Sequence, residues 1–245
     1  MAKKYVGSAS DRPFVKLFRD LTYRHSPWTV WSDFIVMSAC AISNPCDREH
    51  REEREALYMK TIDKYNRQEL DIFPQLLAEM VLALEENPEQ DFLGTLFMEL
   101  NLGNDRGGQF FTPYSVCQLM SEITVGNFEE QIEKDGYITL NDCACGAGAT
   151  LIAGINTIRK QLRDSGSKLN FQNHLLVTGQ EIDFTTALMC YLQLSLLGVA
   201  GYIKVGDTLC DPMHSGDKTD SYWFTPMYFS DVWTMRRLIR GRYIL

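Results

Sequence analysis

The sequence predicts an α/β fold, with a partial parallel sheet in residues 107–245 preceded by an α-helical N-terminal domain in residues 1–106. Three observations carry this. Apolar residues recur at spacings of three and four through the first hundred residues, the period of a helix with one buried face. From residue 114 onward, short β-branched and aromatic runs alternate with helical stretches, the pattern of βαβ units around a parallel sheet. Finally, the first three strand candidates each lead into a segment that pairs glycine with an acidic residue.

In order along the chain, Phe14, Leu17, Phe18 and Leu21 share one helix face, and Trp31, Phe34, Ile35 and Ala39 do the same after the breaker Pro27. Residues 47–55 mix acids and bases at spacings of three and four, which predicts a solvated helix face. Phe73, Leu76, Leu77, Met80, Val81 and Leu84 predict a core-facing helix, and residues 91–100 a further one leading into a glycine-rich segment. Residues 114–123 are expected to be helical. Strands are expected over 137–140, 175–178, 202–205 and 222–224, with helices over 150–162, 185–197 and 231–245. In sheets of this kind ligands sit at the carboxyl ends of the strands.

Composition bounds the function. Hydrophobic content of 45% and charged content of 23% are those of an ordinary globular protein. No apolar run approaches the roughly 18–20 residues of a membrane span, and the basic N-terminus has no apolar stretch behind it, so a cytoplasmic protein is expected. Cys40, Cys46, Cys117, Cys143, Cys145, Cys190 and Cys210 are scattered and odd in number, which suits reduced thiols better than disulfides. Cys40, Cys46 and His50 lack a fourth ligand and a zinc-like spacing, so no metal site is expected. The net charge of −8 argues against an unaided grip on nucleic acid. The dense basic cluster is Arg236, Arg237, Arg240 and Arg242, so either positive charge is concentrated in space or another protein supplies the grip.

Three strand ends are candidates for a cofactor site. Cys145, Gly146, Ala147 and Gly148 follow the first strand and open a helix, and glycines there let backbone approach a ligand or simply make a tight turn. Glu181 ends the second strand, where a carboxylate can accept from both hydroxyls of a ribose, while Asp183 is placed to cap the next helix. Asp207, after the third strand, can accept from an adenine amine or act as a cap or turn residue.

With these residues in place, the chain resembles the N6-adenine DNA methyltransferases, and in particular the modification subunit of type I restriction–modification systems. In that family a Gly-Gln-Phe-Phe-Thr-Pro segment precedes the first strand, and Gln109, Phe110, Phe111, Thr112 and Pro113 match it residue for residue. An Asp-Pro-Ala-Cys-Gly-Ser-Gly loop follows the strand. Asp142, Ala144, Cys145, Gly146 and Gly148 match it, with Cys143 replacing Pro and Ala147 replacing Ser. The resemblance covers roughly residues 13–230. It implies a Rossmann-like, S-adenosylmethionine-dependent methyltransferase core, with these residues, Glu181 and Asp207 lining the cofactor pocket.

The family also places Asn, Asp or Ser, then Pro-Pro and an aromatic residue, at the end of its fourth strand, where they hold the amine to be methylated and stack on the flipped base. The occupant here is Thr225-Pro226-Met227-Tyr228, with Thr225, Pro226 and Tyr228 as catalytic candidates. Threonine replaces the family's first residue and Met227 its second proline. Asp211-Pro212-Met213-His214 is a second candidate that follows the third strand closely.

The resemblance implies methyl transfer to adenine N6 in DNA, with a partner subunit aiding DNA contact. The alternative is a non-catalytic cofactor-binding, regulatory or assembly subunit derived from a methylase, and RNA or protein substrates stay open. The residues after Tyr228 suffice for one helix, so an uncovered sheet edge is expected, and with it homo- or hetero-oligomer formation.

Overall fold

The computed structural model describes residues 12–103 and 110–240. The N-terminal part is helical: α1 (Pro13–Leu21), α2 (Pro27–Ser43), α3 (Arg51–Ile62), α4 (Arg67–Leu70), α5 (Phe73–Glu86) and α6 (Phe92–Glu99). Their starts follow local chemistry. Ser26 caps α2 by accepting from the Thr29 N–H with Pro27 at the first helical position, Asn66 and Glu69 form a capping box on α4, and Asp91 caps α6. Helix α2 is buried on nearly every side from Val30 to Cys40. It can be so because it lies between α3 and the sheet-covering helix α11 (Phe184–Leu196).

The sheet has order β1-β2-β3-β4, with β1 (Ile138–Asp142), β2 (Leu175–Glu181) and β3 (Ala200–Val205) parallel. Between them run α9 (Ala149–Asp164), α10 (Phe171–His174) and α11, as βαβ alternation demands. Helices α7 (Tyr114–Thr124) and α8 (Glu129–Asp135) precede β1. Ile138, Leu175, Val177 and Ile203 face the helices and join one apolar cluster that reaches back to Phe14, Trp31, Phe34 and Phe97. That cluster crosses the boundary expected at residues 106 and 107, which itself lies outside the described residues. The other sheet face carries Leu176, Ala200, Tyr202, Tyr222 and Phe224, covered by Tyr228 and by Trp233 of α12 (Asp231–Arg240). Among the described residues β1 pairs with β2 alone, so its outer edge is bare.

Two expectations are corrected. Strand β4 (Tyr222–Phe224) runs antiparallel to β3, with Tyr202 opposite Phe224 and Lys204 opposite Tyr222. A parallel strand needs a crossover that carries the chain back along the sheet. Residues 206–221 instead make a loop pinned at the carboxyl edge, because the buried Lys204 Nζ donates to Asp211 at 2.9 Å, Asp217 at 2.8 Å and the Pro212 carbonyl at 3.2 Å. Nor is the charged run 47–55 wholly solvated, since Asp47, His50 and Arg54 are buried. Arg54 donates to Asp47 at 2.7 Å and to the Tyr222 carbonyl at 2.6 Å, and stacks 4.0 Å from the Trp223 ring centroid. The His50 Nδ1 lies 2.9 Å from Asp47, so this network ties the helical segment to β4.

Candidate functional site

The loop after β1 is built by its glycines and by one carboxylate. Gly146 and Gly148 have φ of +53° and +98°, the left-handed region in which a side chain is strained. A Cβ on Gly148 would also stand 2.8 Å from the Cys190 Sγ on α11. Asp142 accepts from the Ala144 N–H at 3.0 Å and from the Thr150 hydroxyl, so it folds the loop back onto the start of α9. Glu181, at the end of β2, accepts from the Gly146 N–H at 3.0 Å and from the Asp183 N–H at 3.0 Å. Asp183 caps α11 through the Thr186 N–H. The third loop is tied in by Gly206 N–H to the Glu181 carbonyl at 2.9 Å and by the Thr208 hydroxyl to the Cys143 carbonyl at 2.5 Å.

These elements enclose a cleft of about 200 Å³ lined by Asp91, Phe110, Phe111, Thr112 and Cys117 on one side and by Asp142, Ala144, Cys145, Gly146, Ala147, Ala149, Thr150 and Glu181 on the other. Phe111 covers Gly146, 3.5 Å from where a Cβ would stand, and packs on Phe97 at 5.1 Å between ring centroids. Phe110 is exposed at the rim. The lining holds three carboxylates, Asp91, Asp142 and Glu181, and among the described residues no lysine, arginine or histidine. The negative field is felt by Cys117, whose thiol pKa is raised by burial first and then by Asp91 and Asp142. A larger cleft of about 420 Å³ near the C-terminal half of α9 shares none of these residues.

The structure thus brings together Phe110, Phe111, Thr112, Asp142, Ala144, Cys145, Gly146 and Glu181. Gly148 sits just behind the lining and Pro113 caps α7. Gln109 lies outside the described residues. Asp207 does not line the cleft. Its carboxylate accepts from the Leu209 N–H at 2.8 Å, which with the nearby Cys210 lowers its pKa, and it shapes the turn after β3.

Thr225, Pro226 and Tyr228 are not brought to the cleft either. Because β4 is antiparallel, Thr225 ends at the amino edge of β3, where it is fully buried. Its hydroxyl donates to the Val199 carbonyl at 2.7 Å and accepts from the Gly201 N–H at 3.0 Å. Pro226 opens the 3₁₀ turn Pro226–Phe229, and Tyr228 is buried against Phe224 and Tyr202 with the Arg237 guanidinium 4.1 Å above its ring centroid. Two of the four clustered arginines are therefore spent on packing, since Arg236 also stacks on Trp233 at 4.8 Å.

Sequence reasoning missed Asp91, Cys117, Ala149 and Thr150 as lining residues. It also missed Gln193, a fully buried amide on α11 that bridges Asp91 and the Ala147 carbonyl, each at 2.8 Å. The one local signal was the stretch Phe92-Leu93-Gly94, which leads into the pocket segment.

A sheet of three parallel strands and one antiparallel one, whose carboxyl edge carries a left-handed glycine loop, a facing carboxylate on the next strand and an acid-lined cleft, defines a Rossmann-like α/β domain. The chain belongs to the N-6 DNA methylase family, whose description matches residues 95–244. It is similar to the type I restriction enzyme MpnII methylase subunit of Mycoplasma pneumoniae, 30% identical over 106 residues, which are 43% of this chain and 16% of that protein. A crystal structure of the type I restriction–modification methyltransferase subunit from Streptococcus thermophilus aligns with 86% of this chain and 47% of its own, at 19% identity and a TM-score of 0.42. The match therefore spans less than half the length of either relative.

Proposed function

We propose that this chain binds S-adenosylmethionine in the cleft between the β1 loop and Phe111, and that it serves methyl transfer to adenine N6 in DNA together with a partner subunit. The observation that carries the binding is charge. Asp91, Asp142 and Glu181 line the cleft with no described cation beside them. A dinucleotide or nucleotide bearing phosphates would be repelled there, whereas S-adenosylmethionine has no phosphate and carries positive charge. Its sulfonium supplies the methyl group. Glu181 is set to accept from ribose hydroxyls, Gly146 leaves room for close approach, and Phe111 supplies an apolar wall.

Isothermal calorimetry on the full chain tests this. Binding of S-adenosylmethionine is expected, with none for NAD or ATP, and Gly146→Trp should abolish it by filling the cleft beneath Phe111. Equal titrations for wild type and Gly146→Trp would place the ligand elsewhere.

The second reading, a cofactor-binding subunit that transfers no methyl group, is favoured by the position of Thr225, buried at the edge of β3 remote from the β1 loop. Methyl-labelled cofactor, mixed-sequence DNA and candidate partner subunits separate the two, since transfer requires label in N6-methyladenine under some combination. Support for a partner comes from the bare edge of β1 and from Val116, Leu119, Met120 and Ile123, an exposed apolar stripe on α7.

A further inference from the structure

We propose that Asp91 is the anchor for the α-ammonium group of the cofactor's amino-acid moiety, an inference that rests on the cleft being an S-adenosylmethionine site. Asp91 stands just before α6 and is only 4% exposed, yet it lines the cleft. Its Oδ1 accepts two bonds, from the Gly94 N–H at 2.9 Å and from the Gln193 Nε2 at 2.8 Å. Both donors are neutral.

A helix cap alone does not call for this arrangement. Serine or asparagine would satisfy the Gly94 N–H without placing a full charge out of water. A buried carboxylate held only by neutral donors is costly until a cation arrives. The cost is visible in its pKa, raised by burial against the opposing pull of Gln193 and Gly94. Gln193 fixes the geometry. Its Nε2 also donates to the Ala147 carbonyl at 2.8 Å, and its Oε1 accepts from the Leu93 N–H at 3.1 Å. Gln193 is therefore a positioning residue that holds Asp91 in register with the glycine loop.

The cation must be one that donates hydrogen bonds, since a carboxylate binds most strongly through charge-assisted N–H contacts. A sulfonium has none to offer, whereas an α-ammonium has three. Glu181 meanwhile holds the Gly146 N–H, which leaves Asp91 as the carboxylate secured by side-chain and helix contacts from outside the loop.

Asp91→Asn tests the assignment, because the amide oxygen can keep both bonds at Oδ1 while the charge is removed and the other oxygen becomes an N–H donor that would repel an ammonium. Calorimetry of the full-length wild type and variant would use S-adenosylmethionine, S-adenosylhomocysteine and 5′-methylthioadenosine. The first two carry the ammonium, only the first has the sulfonium, and the third has neither. The expected result is about a tenfold to hundredfold loss for both amino-acid-bearing ligands. Methylthioadenosine binding should stay unchanged, and the melting temperature without ligand should hold or rise as the cost of the buried charge is relieved. A loss confined to S-adenosylmethionine would assign Asp91 to the sulfonium and overturn the proposal. So would equal losses for all three ligands with a lowered melting temperature, the mark of a structural role, or no loss at all. If the wild type binds none of the three, the cofactor assignment itself fails and this inference falls with it.

Discussion

Gly146 and Gly148 look alike in the sequence, but the structure separates them. Both have positive φ, so alanine at either site carries the left-handed strain of about 1–2 kcal/mol. At Gly146 the new methyl would meet only the Phe111 ring at 3.5 Å, an ordinary contact. At Gly148 it would stand 2.8 Å from the sulfur of Cys190, which is fully buried. Overpacking of a rigid core adds to the strain, so Gly148→Ala should cost roughly 3–4 kcal/mol and Gly146→Ala about 1–2 kcal/mol in urea unfolding. Equal losses would mean that Cys190 and its helix yield, and that the glycine reflects backbone conformation alone. Much of the cleft's lining was legible at this scale, because Asp142, Gly146 and Glu181 are marked by motif spacing and strand ends. Asp91 and Gln193 were not. They are distant in sequence and meet only because α6 and α11 pack together.

The elements of the sheet were largely legible, since β4 was expected over 222–224 and forms there, and α9 and α11 begin within a residue of their expected starts. Hydrophobic period and turn residues are local, so they survive in a single sequence. The direction of β4 is not local. It depends on Lys204, which reads in sequence as an ordinary strand residue yet is 2% exposed and clasps the loop that follows. Burial opposes its charge, but Asp217 and Asp211 outweigh that and hold its pKa above the ordinary lysine value. Removing Lys204 leaves carboxylates that water can reach, so Lys204→Met should cost only about 1–2 kcal/mol. Asp217→Asn leaves the buried ammonium with the solvent-exposed Asp211 as its one remaining carboxylate and should cost more, about 3 kcal/mol. The reverse order would show that the clasp is not organised around the buried lysine. The sign with pH follows. Asp217 is held well below the ordinary carboxylate range by Lys204 first, then by the Tyr222 hydroxyl and the His214 N–H. Its contribution is complete above about pH 4 and is lost as pH falls through the lower folded value. Asp217→Asn should lack that acid limb.

Across the whole molecule, the acid-lined cleft and the buried Thr225 network lie at opposite edges of one sheet. The cleft lies beyond Asp142 and Glu181 at the carboxyl edge, whereas Thr225 sits beside Gly201 at the amino edge. Val205 is four residue steps along the strand from Gly201, roughly 13 Å at the rise of an extended chain. A side chain so placed should influence stability without influencing the cofactor. Thr225→Val keeps the shape and deletes the hydroxyl, which leaves the Gly201 N–H without that acceptor and the Val199 carbonyl without that donor. The expected cost is about 1.5–3 kcal/mol in denaturant unfolding. At temperatures where the variant remains folded, S-adenosylmethionine affinity should equal that of wild type, as should methyl transfer if a partner subunit evokes any. A variant with wild-type stability but lost transfer would return Thr225 to the chemistry. It would require the segment after β4 to leave the amino edge when DNA or a partner binds. Loss of stability with binding intact would instead confine Thr225, Pro226 and Tyr228 to holding β4 and α12 on the sheet.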